Sequence, residues 1–138
     1  DDAFGIEAAY TADSYGVAVA YVSDDGGTGA ETTYWGVNGF YTFDLASLSV
    51  GYETEETSGT DKSGYFVGLS FPEVGPGSVN VGAGTVKNYA DAESEYLLYE
   101  ASYSYDINDS MSITPGVFIQ ETSGDDLTGI AVKTSFSF

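Results

Sequence analysis

Residues 129–138 read GIAVKTSFSF, and the fold turns on how this stretch alternates. Ile130, Val132, Thr134, Phe136 and Phe138 fall on one face of an extended chain, and Gly129, Ala131, Lys133, Ser135 and Ser137 on the other. Successive side chains of a strand point to opposite faces, so period-two alternation marks a β-strand between two unlike surroundings. One face here is apolar and aromatic. The other is small and polar, and the last residue is a bare phenylalanine. A soluble strand would need a core to cover that aromatic end.

The same alternation recurs upstream. AFGIEAAYT sets Phe4, Ile6, Ala8 and Tyr10 against Gly5, Glu7, Ala9 and Thr11, and SYGVAVAYV sets Tyr15, Val17, Val19 and Tyr21 against Gly16, Ala18 and Ala20. YWGVNGFYTF places Trp35, Val37, Tyr41 and Phe43 opposite Tyr34, Gly36, Asn38 and Phe40, and ASLSVGYE places Leu48, Val50 and Tyr52 opposite Ser49, Gly51 and Glu53. GYFVGLSF, SVNVGAGTV, EYLLYEASYSY and SMSITPGVFIQ follow the same rule, which puts Phe66, Asn80, Glu100 and Gln120 on their small-residue faces. With the closing stretch this makes nine predicted strands and no helical period, an all-β fold.

Two kinds of connection alternate along the chain. ADS, DLA, PEVGPG and DIND are short; SDDGGTGAET, TEETSGTDKS, KNYADAESE and ETSGDD are longer and acidic. In an antiparallel up-and-down meander this gathers the short turns at one end and the acidic loops at the other. Aromatic residues of the apolar face collect at both ends. Tyr10, Tyr15, Tyr41, Phe43, Phe71, Tyr103, Tyr105, Phe136 and Phe138 lie beside the short turns, and Tyr21, Trp35, Tyr52 and Tyr65 beside the long loops. Phenol and indole rings favour the boundary between hydrocarbon and headgroups. Strands of ~10 residues, alternating apolar and polar, with unequal loop classes and aromatic girdles, are the pattern of a transmembrane β-barrel. Such strands must close into a barrel, because hydrocarbon satisfies no backbone polar group.

Composition narrows the function. Three Lys+Arg stand against 22 Asp+Glu, a net charge of -19. That disfavours nucleic acid, whose phosphates are neutralised by Lys and Arg, and a basic patch for anionic lipid. The 12 Tyr, 8 Phe and 1 Trp argue against disorder despite the acidity. With no cysteine and no histidine, disulfides, the usual zinc ligand sets and the common nucleophile–base pairs are gone. No enzyme activity is expected, and no cofactor.

Two other readings stay open at this level. A soluble β-sandwich binding module also alternates, with its apolar faces on a core. Its polar face would normally carry Lys, Glu and Arg, whereas here it is mostly Gly, Ser, Ala and Asn. An extracellular β-sheet assembly could form filaments through exposed strand edges.

SITPGVFIQ, the acidic loop after it and the closing GIAVKTSFSF resemble the end of cyanobacterial outer-membrane porins of the OprB-like, surface-layer-homology-domain family. The final strand also resembles the terminal signal read by the outer-membrane assembly machinery. The resemblance implies a channel in the bacterial outer membrane for passive diffusion of small hydrophilic solutes, carbohydrate or ions, with iron among the cargoes of some members. It implies outer-membrane lipid as surroundings and a homo-oligomer such as a trimer. Porins of this kind have about 16 strands. Residues 1–138 are therefore expected to be the C-terminal half of a barrel, cut in an extracellular loop, with the remaining half as partner.

If the small-residue face lines a pore, its ionic groups are Glu7, Glu53, Glu100 and Lys133, with Asn38, Asn80 and Gln120 as neutral polar companions. Carboxylates would give the lining a cation preference through their field. Equally, Lys133 could pair with a neighbouring carboxylate and tune nothing. The loop acids Asp24, Asp25, Glu53, Glu55, Glu56, Asp125 and Asp126 could hold Ca²⁺ through hard oxygens, but their spacing fits no EF-hand and solvated charge explains them. No metal site is assigned.

Overall fold

A computed structural model of the chain describes residues 2–27, 29–57, 60–87, 95–122 and 124–137. The strands are β1 (Ala3–Thr11), β2 (Tyr15–Asp24), β3 (Thr32–Thr42), β4 (Ser47–Thr57), β5 (Thr60–Val74), β6 (Gly77–Lys87), β7 (Glu95–Asn108), β8 (Met111–Glu121) and β9 (Leu127–Phe136). They lie in one sheet in chain order, and each is antiparallel to the next. This is the expected nine-stranded meander.

The pairing register keeps the two faces separate across the whole sheet. Ile6 pairs with Tyr21, Tyr21 with Trp35, Val37 with Tyr52 and Tyr52 with Tyr65. The series continues through Val67, Ala83, Tyr99 and Ile119, and Val117 meets Ile130. A slip of one residue at any hairpin would move that strand's whole apolar set to the other face. None occurs between the central residues of any pair.

The sheet is a single layer. Among the described residues no hydrophobic side chain is buried. Phe4 is 62% exposed, Phe136 59% and Ile130 80%. A sandwich would bury the inner faces of two sheets against one another, so the sandwich reading is excluded. β1 and β9 each have one neighbour and do not pair with each other.

Several connections differ from the sequence expectation. The PEVGPG segment is not a six-residue turn. β5 runs on to Val74 and β6 begins at Gly77, leaving a turn of Gly75 and Pro76 with Gly75 at φ +62. A register shift between Phe71 and Val74 takes up Pro72 and Glu73, because a proline has no N–H for the ladder. The DIND turn tightens in the same way, through a shift between Asp106 and Asn108. The TEETSGTDKS stretch is largely strand rather than loop: Glu53 to Thr57 pair with Thr60 to Gly64. Thr54, Thr57 and Thr60, a residue type that suits a pleated sheet, carry the hairpin past the point where the apolar pattern stops. Most of the KNYADAESE loop and Phe138 lie outside the described residues.

Candidate functional site

The small-residue face is the side where chemistry could occur. Glu7, Asn38, Glu53, Asn80, Glu100, Gln120 and Lys133 all stand on it, as the alternation requires. They are spread over the sheet rather than gathered at one point. Glu53 has Gly36 and Gly64 as its two cross-strand neighbours, so its carboxylate stands over a bare backbone floor. Glu100 lies between Gly82 and Phe118, and its side chain leans over Gly82, where an added Cβ would sit 3.5 Å from its Oε1. Asn80 lies between Ser70 and Ser102, and Gln120 between Leu98 and Leu127.

The structure adds an ion pair. Lys62 Nζ lies 3.7 Å from Glu55 Oε1, and Glu55 is buried. The Thr57 hydroxyl also donates to Glu55 Oε1, at 3.4 Å. The pair is directly cross-strand in the extended β4–β5 hairpin. Both residues fall in a stretch whose sequence looks like an acidic loop, so only the register reveals them. Lys133 is different. Its neighbour on β8 is Thr114, whose hydroxyl donates to Ser104 Oγ at 3.0 Å. Among the described residues Lys133 forms no ion pair, so of the two readings left open for it the one that pairs it with a neighbouring carboxylate finds no support.

Three phenylalanines also occupy this face. Phe40, Phe66 and Phe118 are directly opposite Gly16, Gly51 and Gly129. In each case a Cβ on the glycine would run into the phenylalanine ring. The rings therefore lie down across the neighbouring strand, in notches that only glycine leaves open. Two concavities result on either side of Phe66. One, of about 420 Å³, is bounded by Tyr34, Asn38, Glu53, Glu55 and Phe66. The other, of about 400 Å³, is bounded by Phe66, Ser70, Asn80, Leu98 and Glu100.

At the long connections, Asp24 Oδ1 accepts the Gly26 N–H and Asp25 Oδ1 the Gly27 N–H, each at 2.9 Å. These carboxylates close Asx turns onto glycines at φ 67 and 53. Among the described residues no three acidic side chains converge as a cation site.

The apolar face has its own order. Tyr10 and Tyr15 have ring centroids 5.9 Å apart, and Tyr41 and Phe43 4.8 Å, at the short-turn ends; Trp35 and Tyr52 are 5.3 Å apart toward the long connections. The Tyr103 hydroxyl donates to the Val74 carbonyl at 3.2 Å, fixing one ring of the short-turn row. Glu56 opposite Asp61, and Glu121, stand at the long-connection ends of this face. From Trp35 to Tyr41, or Tyr65 to Phe71, every alternate residue is uncharged.

Among solved structures, the sheet is similar to an anion-selective porin from Comamonas acidovorans. The TM-score is 0.80 at 16% identity, over 99% of this chain and 49% of that one. The chain thus spans about half the length of that porin. No curated protein matches it in sequence. Residues 1–127 match the family model of Gram-negative porins, and the chain accordingly belongs to that family of non-enzymatic proteins of the bacterial outer membrane.

Proposed function

We propose that the nine strands form part of the wall of an outer-membrane channel through which small hydrophilic solutes diffuse passively, with a preference for cations. One observation carries this reading. A single uncovered sheet has an unbroken apolar face with aromatic rings at both ends and a small, polar opposite face. In lipid the apolar face needs no core. Tyr10, Tyr15, Tyr41, Phe43, Phe71, Tyr103, Tyr105 and Phe136, with Phe138 beyond the described residues, form the periplasmic girdle. Tyr21, Trp35, Tyr52 and Tyr65 form the external one. Glu7, Asn38, Glu53, Asn80, Glu100, Gln120 and Lys133 line the pore.

The free edges of β1 and β9 are completed by further strands, with residues 1–138 as the C-terminal half of the barrel. Eight hairpins separate β1 from β9, so the two run in the same direction. Completion that keeps every pair antiparallel takes an odd number of strands, giving the even total usual for bacterial barrels. Barrels of the family assemble here as a homo-oligomer such as a trimer. The narrower OprB-like assignment, with carbohydrate or iron as cargo, is supported by SITPGVFIQ and the closing strand alone.

Cation preference follows from the lining. Glu7, Glu53, Glu55 and Glu100 stand on that face against Lys62 and Lys133, and Lys62 is engaged by Glu55. The Comamonas porin is anion-selective by description, whereas among the described residues of this face the carboxylates outnumber the lysines. The test is the reversal potential of the full-length porin in planar bilayers under a KCl gradient. Its sign is expected to be that of K⁺ selectivity, and Glu53→Gln with Glu100→Gln is expected to move it toward zero. Anion selectivity, or no conductance, contradicts the proposal.

A further inference from the structure

Resting on the channel reading above, we infer that the pore wall holds one discrete site for a partly dehydrated alkali cation, seated above Gly82 between the Glu100 carboxylate and the Val67 carbonyl, with Asn80 and Ser70 beside it. The position that a Cβ would take on Gly82 lies 3.5 Å from Glu100 Oε1 and 3.5 Å from the Val67 carbonyl oxygen. An oxygen from β7 and one from β5 thus border a space over β6 that the missing side chain leaves open.

The register brings two neutral oxygens to the same place. Gly82 has Gly68 opposite it on one side and Glu100 on the other. The next row of this face is Ser70, Asn80 and Ser102, each directly opposite the next. Asn80 is therefore diagonal to Glu100, a spacing of ~7–8 Å, and the Glu100 side chain leans toward it over Gly82. No Cβ stands between the two groups. Ser70, Asn80 and Glu100 bound one concavity, of about 400 Å³, on a floor of Gly68, Gly82 and Gly84. The Phe66 ring leans the other way, over Gly51 on β4, and leaves this side open.

This donor set matches one ligand chemistry. Carboxylate, carbonyl, amide and hydroxyl oxygens are hard ligands that stand in for the hydration water of a hard cation. Among the described residues Glu100 forms no ion pair, and no three acidic side chains converge on it. One negative charge among neutral oxygens balances a single positive charge, whereas Ca²⁺ sites draw on several carboxylates. The site opens to the lumen, so the ion keeps part of its water and leaves readily, as conduction requires. Such a site differs from the general field of the lining. A field depends on charge alone; the site depends also on each neutral oxygen and on the space above Gly82.

The experiment uses the full-length porin in planar bilayers and compares single-channel conductance with bulk conductivity in KCl near and above ~1 M, where the Debye length is ~3 Å and the field of the lining is screened. The unaltered porin is expected to fall below proportionality as the site fills. Gly82→Ala puts a methyl into the space at ordinary contact distance. The wall should still form, the curvature should be lost, and the intact carboxylate should keep the sign of the reversal potential. Glu100→Gln should also remove the curvature, and Asn80→Ala should raise the half-saturating KCl concentration about threefold, the effect of one lost polar contact. Gly5→Ala, on β1 and away from the site, should behave as the unaltered porin does. Should Gly82→Ala fail to conduct, Glu100→Gln and Asn80→Ala carry the comparison. Strict proportionality in the unaltered porin, or curvature that any of the three site variants leaves unaltered, overturns the site and leaves the channel standing. Absence of conductance, or anion selectivity, in the unaltered porin overturns the channel reading and the site with it.

Discussion

Phe66 and Gly51 show how a residue on a polar wall can depend on the one opposite it. The ring lies down because the neighbouring strand offers no Cβ. Gly51→Ala would push against the far edge of the ring, which has open space to swing into. The expected loss is that of one cross-strand contact, about 0.5–1 kcal/mol, rather than the larger penalty of an overpacked core. It should appear as a small fall in the urea midpoint for folding into lipid vesicles, with lower single-channel conductance as the ring moves into the pore. Unchanged midpoint and conductance would show that the notch does not hold the ring. The sequence places Phe40, Phe66 and Phe118 on the small-residue face but gives no reason for them there. Their glycine partners are 24, 15 and 11 positions away in sequence, and the pairing is visible only once the register is known.

Within one element, β4 sets the clearest contrast. Ser49 and Val50 are adjacent in sequence and on opposite faces. Val50→Arg puts a guanidinium in hydrocarbon and should cost about 2–4 kcal/mol near the bilayer midplane. Ser49→Arg places the same group over the polar wall and should leave the folding free energy close to unchanged. Reversible denaturant titration in vesicles measures both, and equal effects would deny that the two faces meet different solvents. β4 also shows where the sequence stops being legible. Its face assignment follows from Leu48, Val50 and Tyr52 alone. Its end does not, because Glu53, Glu55 and Glu56 look like loop acids, while Thr54, Thr57 and the Lys62–Glu55 pair continue the ladder. The turn at Gly75 and Pro76 is hidden for a similar reason. Pro72 suggests a broken strand, and the bulge that accommodates it has no periodic signature.

For the whole molecule, the alternation predicts every strand's face, and the hairpin registers join those faces into one apolar surface and one small-residue surface. That much was legible because each strand carries its own period-two record. How the exposed edges of β1 and β9 are paired was not legible, because a hydrogen-bonding edge is sequence-neutral and accepts any strand of suitable direction. The central claim is that the apolar surface faces lipid across all nine strands. This chain has no cysteine, so single substitutions at adjacent pairs on an edge, a central and the closing strand test it directly: Ala8 and Ala9, Val50 and Ser49, Val132 and Ala131. The measurement is labelling by a membrane-impermeant thiol reagent in the assembled outer-membrane porin. Reaction at positions 9, 49 and 131 with protection at 8, 50 and 132 is the predicted result; the reverse pattern, or equal labelling within each pair, would contradict it.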